Sequence, residues 1–580
     1  MTTRTSDDRI DNAVAALAAA GVGRATPVGL VVGDAQRCGL ALESGDTWDV
    51  DIDTVAAIDA TLRPRWVWWS ADAVAAPLLA LGVRVGTCWD VAAAHRLLAG
   101  GHRADPARVW AWLHDLPASG IPAVGQLDLL GGDAGSDDDP VRPDGHLRPD
   151  WIAGSWSSTP TGRSRWAALA IEARRLQVAR RAHIEVRGDL ASTTHAESAA
   201  ELLCVELAAD GLPIDRARAE SIIASVIGPR PRDEREAEER RRERDALVLA
   251  HAPAGGSIDL RSPGDVKAML RRAGLDLDDT RAWRLERLRD AHPVVDALLR
   301  WRKAERMATT YGYGWLDQHV SADGRLRGAW TGSDGGAGRM TAQAGLHSLP
   351  AEMRPAVVAE PGYCFVRADL GQIEPRVLAV VSGDPALVQA TADDDLYAPV
   401  AARLGVERAT AKIAVLAAMY GQTSGAAGET LRAMERAYPV AINFLRDAEE
   451  AGRAGASIRT HGGRLVRMWQ IDDDDDGVAP RSAIAARGRF ARNAMVQGAA
   501  AELFKAWAAT VRAHGAPAGA RIVLCLHDEI LVHVPEDEAE SMARRIDECL
   551  AEAAWRWSAG STARFVSDTS VIHAWSDAKA

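Results

Sequence analysis

Two carboxylates in this chain stand where apolar runs stop. In YCFVRADLGQIEPRVLAVVSGD, residues 363–384, an apolar strand ends at Asp369, and a helix is predicted from near Gln372 with Pro375 in its first turn, where proline is tolerated. In RIVLCLHDEILVHVP, residues 521–535, two β-type runs flank His527, Asp528 and Glu529, which places these three at the tip of a tight antiparallel hairpin. Taken singly, a helix-capping acid and a hairpin turn explain them. If they face each other across one sheet, Asp369 and Asp528 offer hard oxygen ligands to Mg²⁺, and a pair of such ions supports in-line displacement at phosphorus. Without cations, adjacent carboxylates repel and one takes up a proton.

A third block, RATAKIAVLAAMYGQTSG at 408–425, spaces Arg408, Lys412, Leu416 and Tyr420 four residues apart, one drifting stripe on a helix about 18 Å long. Two cations, an aliphatic and an aromatic match a nucleotide from triphosphate to base; the plain alternative is a solvent-exposed edge. Gly421 follows and lets another chain approach. The chain has only five lysines among 68 basic residues, so a lysine at 412 suits a task needing a compact ammonium that can release a proton.

The elements that must position these groups are legible in outline. At 580 residues the chain should hold three or four folding units, and 47% apolar with 26% charged residues excludes a disordered or fibrous protein. Residues 26–100 alternate short apolar runs with helical patterns, an α/β texture predicted to extend to about 190, with a Gly/Asp/Pro-rich surface loop at 129–165. From His195 the texture is helical, and the charged stretch 229–244 reads as a solvated helix face. Six scattered cysteines form no zinc or disulfide spacing, and no membrane span or signal segment is predicted, so a cytoplasmic location is expected.

Together and in this order the three blocks resemble the motifs of family A DNA polymerases, the bacterial DNA polymerase I type. The family's Asp with Gln-Ile-Glu and Arg corresponds to Asp369, Gln372-Ile373-Glu374 and Arg376; its Arg-x3-Lys with a distal Tyr-Gly to Arg408, Lys412, Tyr420 and Gly421; its His-Asp-Glu to residues 527–529. GRMTAQAGLHSLP (338–350), THGGRL (460–465) and RFARNAMVQG (489–498) are similar to further family segments, so the likeness runs from about 196 to 580. It implies an α/β N-terminal ribonuclease H-like exonuclease domain at 1–190 and an α+β right-hand polymerase: thumb 191–330, palm 331–384 and 486–580, fingers 385–485. By the resemblance, Asp369 and Asp528 bind two Mg²⁺ ions, with Mn²⁺ as a substitute. Arg408 and Lys412 hold the triphosphate, Lys412 doubling as general acid for pyrophosphate, and Gln372, Glu374, Leu416 and Tyr420 complete the nucleotide site. Glu374 packs where a ribose 2′-hydroxyl would sit, favouring dNTPs. Primer-template DNA is expected to meet Arg339, Gly421, Arg464, Arg489, Asn493, Gln497, His527 and Glu529, and the protein is expected to act as a monomer in DNA replication or repair.

The chain also departs from the family. Leu416 replaces an aromatic, Leu370 and Pro375 flank the metal Asp, Tyr397 replaces a His and His347 a Gln, which together predict unusual selectivity or speed. In the N-terminal domain the Asp-x-Glu and Tyr-x3-Asp patterns of an exonuclease cannot be placed around Asp34, Asp72 or Trp166, so proofreading is expected to be absent, and Asp90 reads as structural. No 5′-nuclease stretch is expected within these 580 residues. A non-catalytic scaffold, a polymerase with relaxed sugar selectivity and an active exonuclease remain the alternatives. The net charge of −12 seems to oppose a nucleic-acid partner, yet residues 1–150 alone carry 21 acids against 12 arginines. Arginines 453, 459, 464, 467, 481, 487, 489 and 492 form a basic track suited to phosphates, interrupted by the acid run 472–476, which reads as a solvated loop.

Overall fold

The computed structural model describes residues 2–122, 139–254, 257–334, 336–421, 427–471 and 480–578. The acid run Asp472–Asp476 and residues 129–138 of the Gly/Asp-rich loop lie outside the described residues. The chain divides into two compact units: one comprising Met1–Asp210, Ala329–Ala342 and Pro361–Ile572, the other Gly211–Gly328, Gln343–Glu360 and His573–Ala580.

The first unit contains two large sheets and, among the described residues, two short two-stranded ones at 330–342 and 458–466. The N-terminal one is built from β1 (Pro27–Val32), β2 (Arg37–Ala41), β3 (Thr47–Asp51), β4 (Arg65–Trp68) and β5 (Thr87–Asp90), in the order β3-β2-β1-β4-β5. The first three strands form an antiparallel meander, while β4 and β5 run parallel to β1. Strand ends become helix starts through side-chain caps. Asp51 accepts from Thr54 N at the start of α1 (Ile52–Leu62), Ser70 caps α2 (Ala71–Ala80), and Asp90 accepts from Ala93 N at the start of α3 (Val91–Ala99). Asp90 also accepts from Ala71 N at 2.6 Å and Trp68 Nε1 at 3.1 Å, so it is a buried structural acid. Helix α4 (Pro160–Arg181) lies so close on β2 that a Cβ at Gly39 would meet the backbone of Arg163 at 2.5 Å. Around its Trp166 stand Trp69, Trp156 and Trp151 at ring separations of 5.0, 5.9 and 6.3 Å. Arg163, also buried, binds Asp49 at 2.7 Å, while Asp34 and Asp72 are exposed.

Helix α5 (Leu190–Asp210) packs against α2, α3 and β5 on one side and the long C-terminal helix introduced below on another. The sequence reading assigned 191–210 to the thumb; in the structure this helix clusters with the first unit.

The second sheet consists of β6 (Tyr363–Leu370), β7 (Arg521–Cys525), β8 (Glu529–Pro535) and β9 (Ser567–Ile572), antiparallel in the order β7-β8-β6-β9. Its core-facing side chains include Cys364, Val366, Ala368 and Leu370, alternating as a half-covered antiparallel strand requires. Helices α6 (Ile373–Ser382), α7 (Arg408–Tyr420), α8 (Pro439–Arg453), α9 (Arg481–Gly515) and α10 (Ala539–Trp557) complete this half, with α8 and α10 packed along the 35-residue α9. At its heart is a buried ionic cluster: Lys505 Nζ lies 2.8 and 2.7 Å from the Glu197 oxygens, and Arg464 pairs with the same carboxylate. Burial pushes the Glu197 pKa up, but the two cations outweigh it and hold the group below its ordinary value. Losing one partner of such a cluster costs about 3–5 kcal/mol.

The second unit is mainly helical, with helices Arg216–Ile227, Glu234–Leu249, Pro263–Arg272 and Pro293–Thr310 around a core that includes Val266, Leu270, Leu285 and Leu298. The predicted charged helix is there, and Val248 is its buried residue. All six cysteines are buried thiols outside any disulfide, and no described helix is long and apolar enough to cross a membrane.

Candidate active site

The two carboxylates that opened the sequence reading meet on the second sheet. Asp369, one residue from the end of β6, pairs in register with Glu529, the first residue of β8, so Asp528 sits in the turn directly beside it. Leu370 N donates to the Asp528 carbonyl at 2.7 Å, fixing the hairpin tip against β6. Burial, and then the charge of Asp528, push the Asp369 pKa up to about 6, against the pull of Arg367. Asp528 is likewise raised, first by burial and then by Glu529. Carboxylates raised by burial and by neighbouring acids are undersupplied with positive charge, and two such hard oxygen donors suit a divalent cation whose shell is completed by water and phosphate. Among the described residues no group of three or more His, Cys, Asp or Glu is disposed to hold a metal by itself, so the fit rests on this pair.

Arg367 was not anticipated. Two residues before Asp369 on the same strand face, its Nη2 donates to Asp369 at 2.8 Å, its Nε to Glu529 at 2.8 Å and its Nη1 to Asp568 at 3.3 Å. The i, i+2 spacing to Asp369 was the available signal. Glu529, expected at the DNA, is buried and held by Arg367, and its in-register pairing with Asp369 puts it on the same face of the sheet as that carboxylate.

Beyond β6 the chain turns sharply. Gln372 adopts a left-handed conformation (φ 56°) and its side chain is engaged on both sides: Nε2 donates to Asp395 at 2.9 Å and Oε1 accepts from Leu396 N at 2.8 Å. Asp395, a second residue the sequence reading missed, also holds the Arg408 guanidinium, which lies 5.8 Å from the Tyr397 ring centre. Its signal was the acid triplet 393–395 just before Tyr397, which is meaningful only through contacts distant in sequence. One turn into α6, Glu374 accepts from Arg339 Nη2 at 2.9 Å and from Tyr420 OH at 2.8 Å. Burial and this carboxylate push the Tyr420 pKa up to about 12, so the hydroxyl stays a donor.

On α7 the stripe exists as spaced. Arg408 and Lys412 are exposed, Leu416 and Tyr420 half-buried, and the helix closes at Gly421 (φ 66°), where a left-handed residue lets its N–H reach the Ala417 carbonyl. Lys412 has no ion pair among the described residues. Across from Gly421, α9 presents Arg489 exposed and Asn493 and Gln497 half-buried, four residues apart; Asn493 Oδ1 is enclosed without a hydrogen-bond partner. His527 is exposed at the hairpin tip, its pKa lowered by burial of the ring and then by the Arg339 charge.

The basic track is largely a different object from the one expected. Arg464 is buried against Glu197 and Ser333 and has no surface to offer DNA. Arg487 donates to the carbonyls of Gly452, Trp469 and Arg453, Arg492 to that of Ala418, Arg459 to those of Gly463 and Leu98, and Arg467 to that of Ala99. These guanidiniums satisfy helix and loop ends, because orphan carbonyls need donors wherever chain segments stop inside a fold. Arg481 and Arg489 stay exposed.

With this geometry in hand, comparison with known proteins is direct. A model of DNA polymerase family A matches residues 233–560. The chain is 31% identical to DNA polymerase I of Chloroflexus aurantiacus over 299 residues, covering 46% of this chain and 31% of that protein. It is 27% identical to DNA polymerase I of Deinococcus radiodurans over 338 residues (50% and 34%) and 29% identical to the thermostable DNA polymerase I of Thermus aquaticus over 294 (46% and 35%). The chain thus spans 31–35% of the length of these relatives. In fold it agrees with the solved POL domain of Pol1 from M. smegmatis in complex with DNA primer-template and dNTP, at a TM-score of 0.67 and 21% identity, over 97% of this chain and 98% of that one. Since the family model spans more than half of the 580 residues, the chain belongs to DNA polymerase family A.

Proposed function

We propose that the protein is a template-directed DNA polymerase that extends a primer 3′ end with deoxynucleotides. The observation that carries the reading is the pair Asp369 and Asp528, side by side on one sheet, both with raised pKa values, and with the cation-bearing stripe of α7 nearby in sequence order. The M. smegmatis structure holds primer-template DNA and dNTP, and these are the proposed partners here. Asp369 and Asp528 would hold two Mg²⁺ ions, or Mn²⁺ in their place, which when bound supply positive charge to the attacking 3′-hydroxyl and the departing pyrophosphate. Arg408, steadied by Asp395, and Lys412 orient the triphosphate, and Lys412 Nζ delivers a proton to pyrophosphate. Glu374, pinned by Arg339 and Tyr420, walls off the position of a ribose 2′-hydroxyl. Leu416 replaces a stacking aromatic, so the nucleotide is held less by its ring face. Arg489, Asn493, Gln497, Gly421, Arg339 and His527 are the proposed contacts for primer and template.

The thumb, palm and fingers boundaries of the sequence reading are retained as proposals, as are a monomeric state and a role in replication or repair. The 1–190 region is proposed to be a ribonuclease H-like exonuclease domain without activity. The sheet order β3-β2-β1-β4-β5 supports the fold, and the packing of Trp166, Trp69 and Arg163 where a cleft would need converging acids supports the inactivity.

Primer extension with Mg²⁺, comparing dNTPs with NTPs, tests the reading. Template-dependent extension with dNTPs is expected; its absence from the parent protein would favour a scaffold instead. A labelled primer incubated without nucleotides should remain intact.

A further inference from the structure

On the side of the second sheet's first strand, a cavity of about 730 Å³ is enclosed by the N-terminal α/β layer, α5, the end of α9 and β7. Its wall contains six arginines, Arg24, Arg63, Arg65, Arg84, Arg512 and Arg521, against three carboxylates, Asp59, Glu206 and Asp210. That is a cationic chamber in a strongly acidic chain. We propose that it binds a di- or triphosphate group, free or carried on a nucleoside, at a site separate from the nucleotide stripe of α7.

The carboxylates are already committed. Glu206 binds Arg512 at 2.6 and 2.8 Å, Asp210 binds Arg84, and Asp59 accepts from Trp66 Nε1 at 2.8 Å and from Gly86 N at 3.1 Å. The other guanidiniums make no hydrogen bond or ion pair to an acid among the described residues, although Arg521 lies in the field of Asp210 and Glu206. Arg65 lies 2.7 Å from Nδ1 of His195, and burial followed by the Arg65 charge pushes that imidazole down to about 3, so the ring is a neutral hydrogen-bond acceptor for Arg65. Arg521 donates only to the Ala520 carbonyl at 3.3 Å, while Arg24 and Arg63 are exposed with no ion pair among the described residues. Arg84 Nη1 is enclosed without a hydrogen-bond partner, 3.8 Å from Glu206 Oε1. Planar guanidinium forks of this kind pair bidentately with phosphate oxygens, and only a multiply charged anion answers several at once.

The backbone points the same way. Ala25 and Arg63 both take left-handed conformations, φ 63° and 51°, and Ala25 N donates to the Arg63 carbonyl at 2.9 Å. Arg63 closes α1 at a position where glycine is usual, so a long cation is placed there at a conformational cost of about 1 kcal/mol. The remaining wall is apolar, with Leu203, Val511, Ile522 and Val532, a surface suited to a base or ring beside the phosphates. The volume lies within the range of small-molecule sites, roughly 300–1,000 Å³.

The proposal does not depend on polymerase activity, and its test separates the two sites. Isothermal titration calorimetry on the full chain would use tripolyphosphate and ATP, with the parent, an Arg408→Ala/Lys412→Ala variant and an Arg63→Gly/Arg521→Ser variant. One equivalent should still bind to the first variant, and the affinity of that equivalent should fall at least tenfold in the second, while primer extension by the second stays at parental level. Equal affinity for the two ligands assigns the site to phosphate alone, and tighter ATP binding assigns it to a nucleotide; both support it. No binding by the parent, loss of all binding in the first variant, or unchanged binding in the second overturns it. Photolabelling of the parent with 8-azido-ATP gives an answer independent of variant folding: label in peptides 59–65 or 511–522 supports the site, and label confined to 369–421 overturns it.

Discussion

The two large sheets of the first unit treat carboxylates in opposite ways. On the N-terminal sheet Asp90 is saturated by three N–H donors and Asp49 is clasped by Arg37 and Arg163. On the second, Asp528 lies between the charges of Asp369 and Glu529, and the one arginine there, Arg367, is divided between Asp369 and Glu529. Both sheets present acids at strand ends, so position alone does not make a site. Burial raises the pKa of both Asp90 and Asp369, so what separates a structural acid from a reactive one is whether N–H donors enclose the carboxylate or leave it accessible.

The sharpest way to break this contrast is to remove an acid of each kind. Asp528→Ala is expected to lower single-turnover primer extension about 1000-fold, about 4 kcal/mol of barrier, with the melting temperature nearly unchanged. Extension at the parental rate would dissolve the metal assignment. A buried acid should behave inversely: Glu197→Gln leaves Lys505 and Arg464 without their shared anion and should cost about 3–5 kcal/mol in denaturant unfolding.

Asp90→Asn should cost about 1–3 kcal/mol while sparing extension. It also carries a pH signature. Burial, then the Glu201 charge, raise the folded pKa of Asp90 to about 7, whereas the unfolded group titrates near about 4. The native state therefore keeps a proton that the unfolded chain has lost, and stability should decline as pH rises from about 4 to 7. The Asn variant should lack that slope; an unchanged slope would reassign the proton.

Smaller effects refine the contrast. Asp395→Ala frees Arg408 and should raise the KM for dNTP about fivefold, the scale of one hydrogen bond, with kcat less affected. Arg489→Ala should reduce the salt slope of DNA binding by about one, and Arg464→Ala should act on stability instead. A matching salt slope for both arginines would mean that burial does not sort them.

What could be read in the sequence follows the same division. The end of β6, the hairpin tip at Asp528 and the stripe on α7 were legible because local periodicity fixes a strand end, a turn and a helix face. The fate of the arginines was not. Arg464, Arg487 and Arg492 sit among acid-poor residues as if facing phosphate, yet carbonyls and a glutamate remote in sequence claim them. Arg367 and Asp395 were missed for the same reason, since their partners lie on neighbouring strands or across a loop. The clasp of Arg367 on Glu529 was not legible either, because it joins two strands remote in sequence.

The tryptophan nest around Trp166 has a practical consequence. Ten of the chain's nineteen tryptophans precede residue 190, and Trp156 stacks on Trp166 at 17° between planes. Indoles held in such fixed mutual orientation couple optically, so near-ultraviolet circular dichroism should be dominated by the N-terminal layer. That signal would let its melting be followed separately, within the intact chain, from the sheet that carries Asp369.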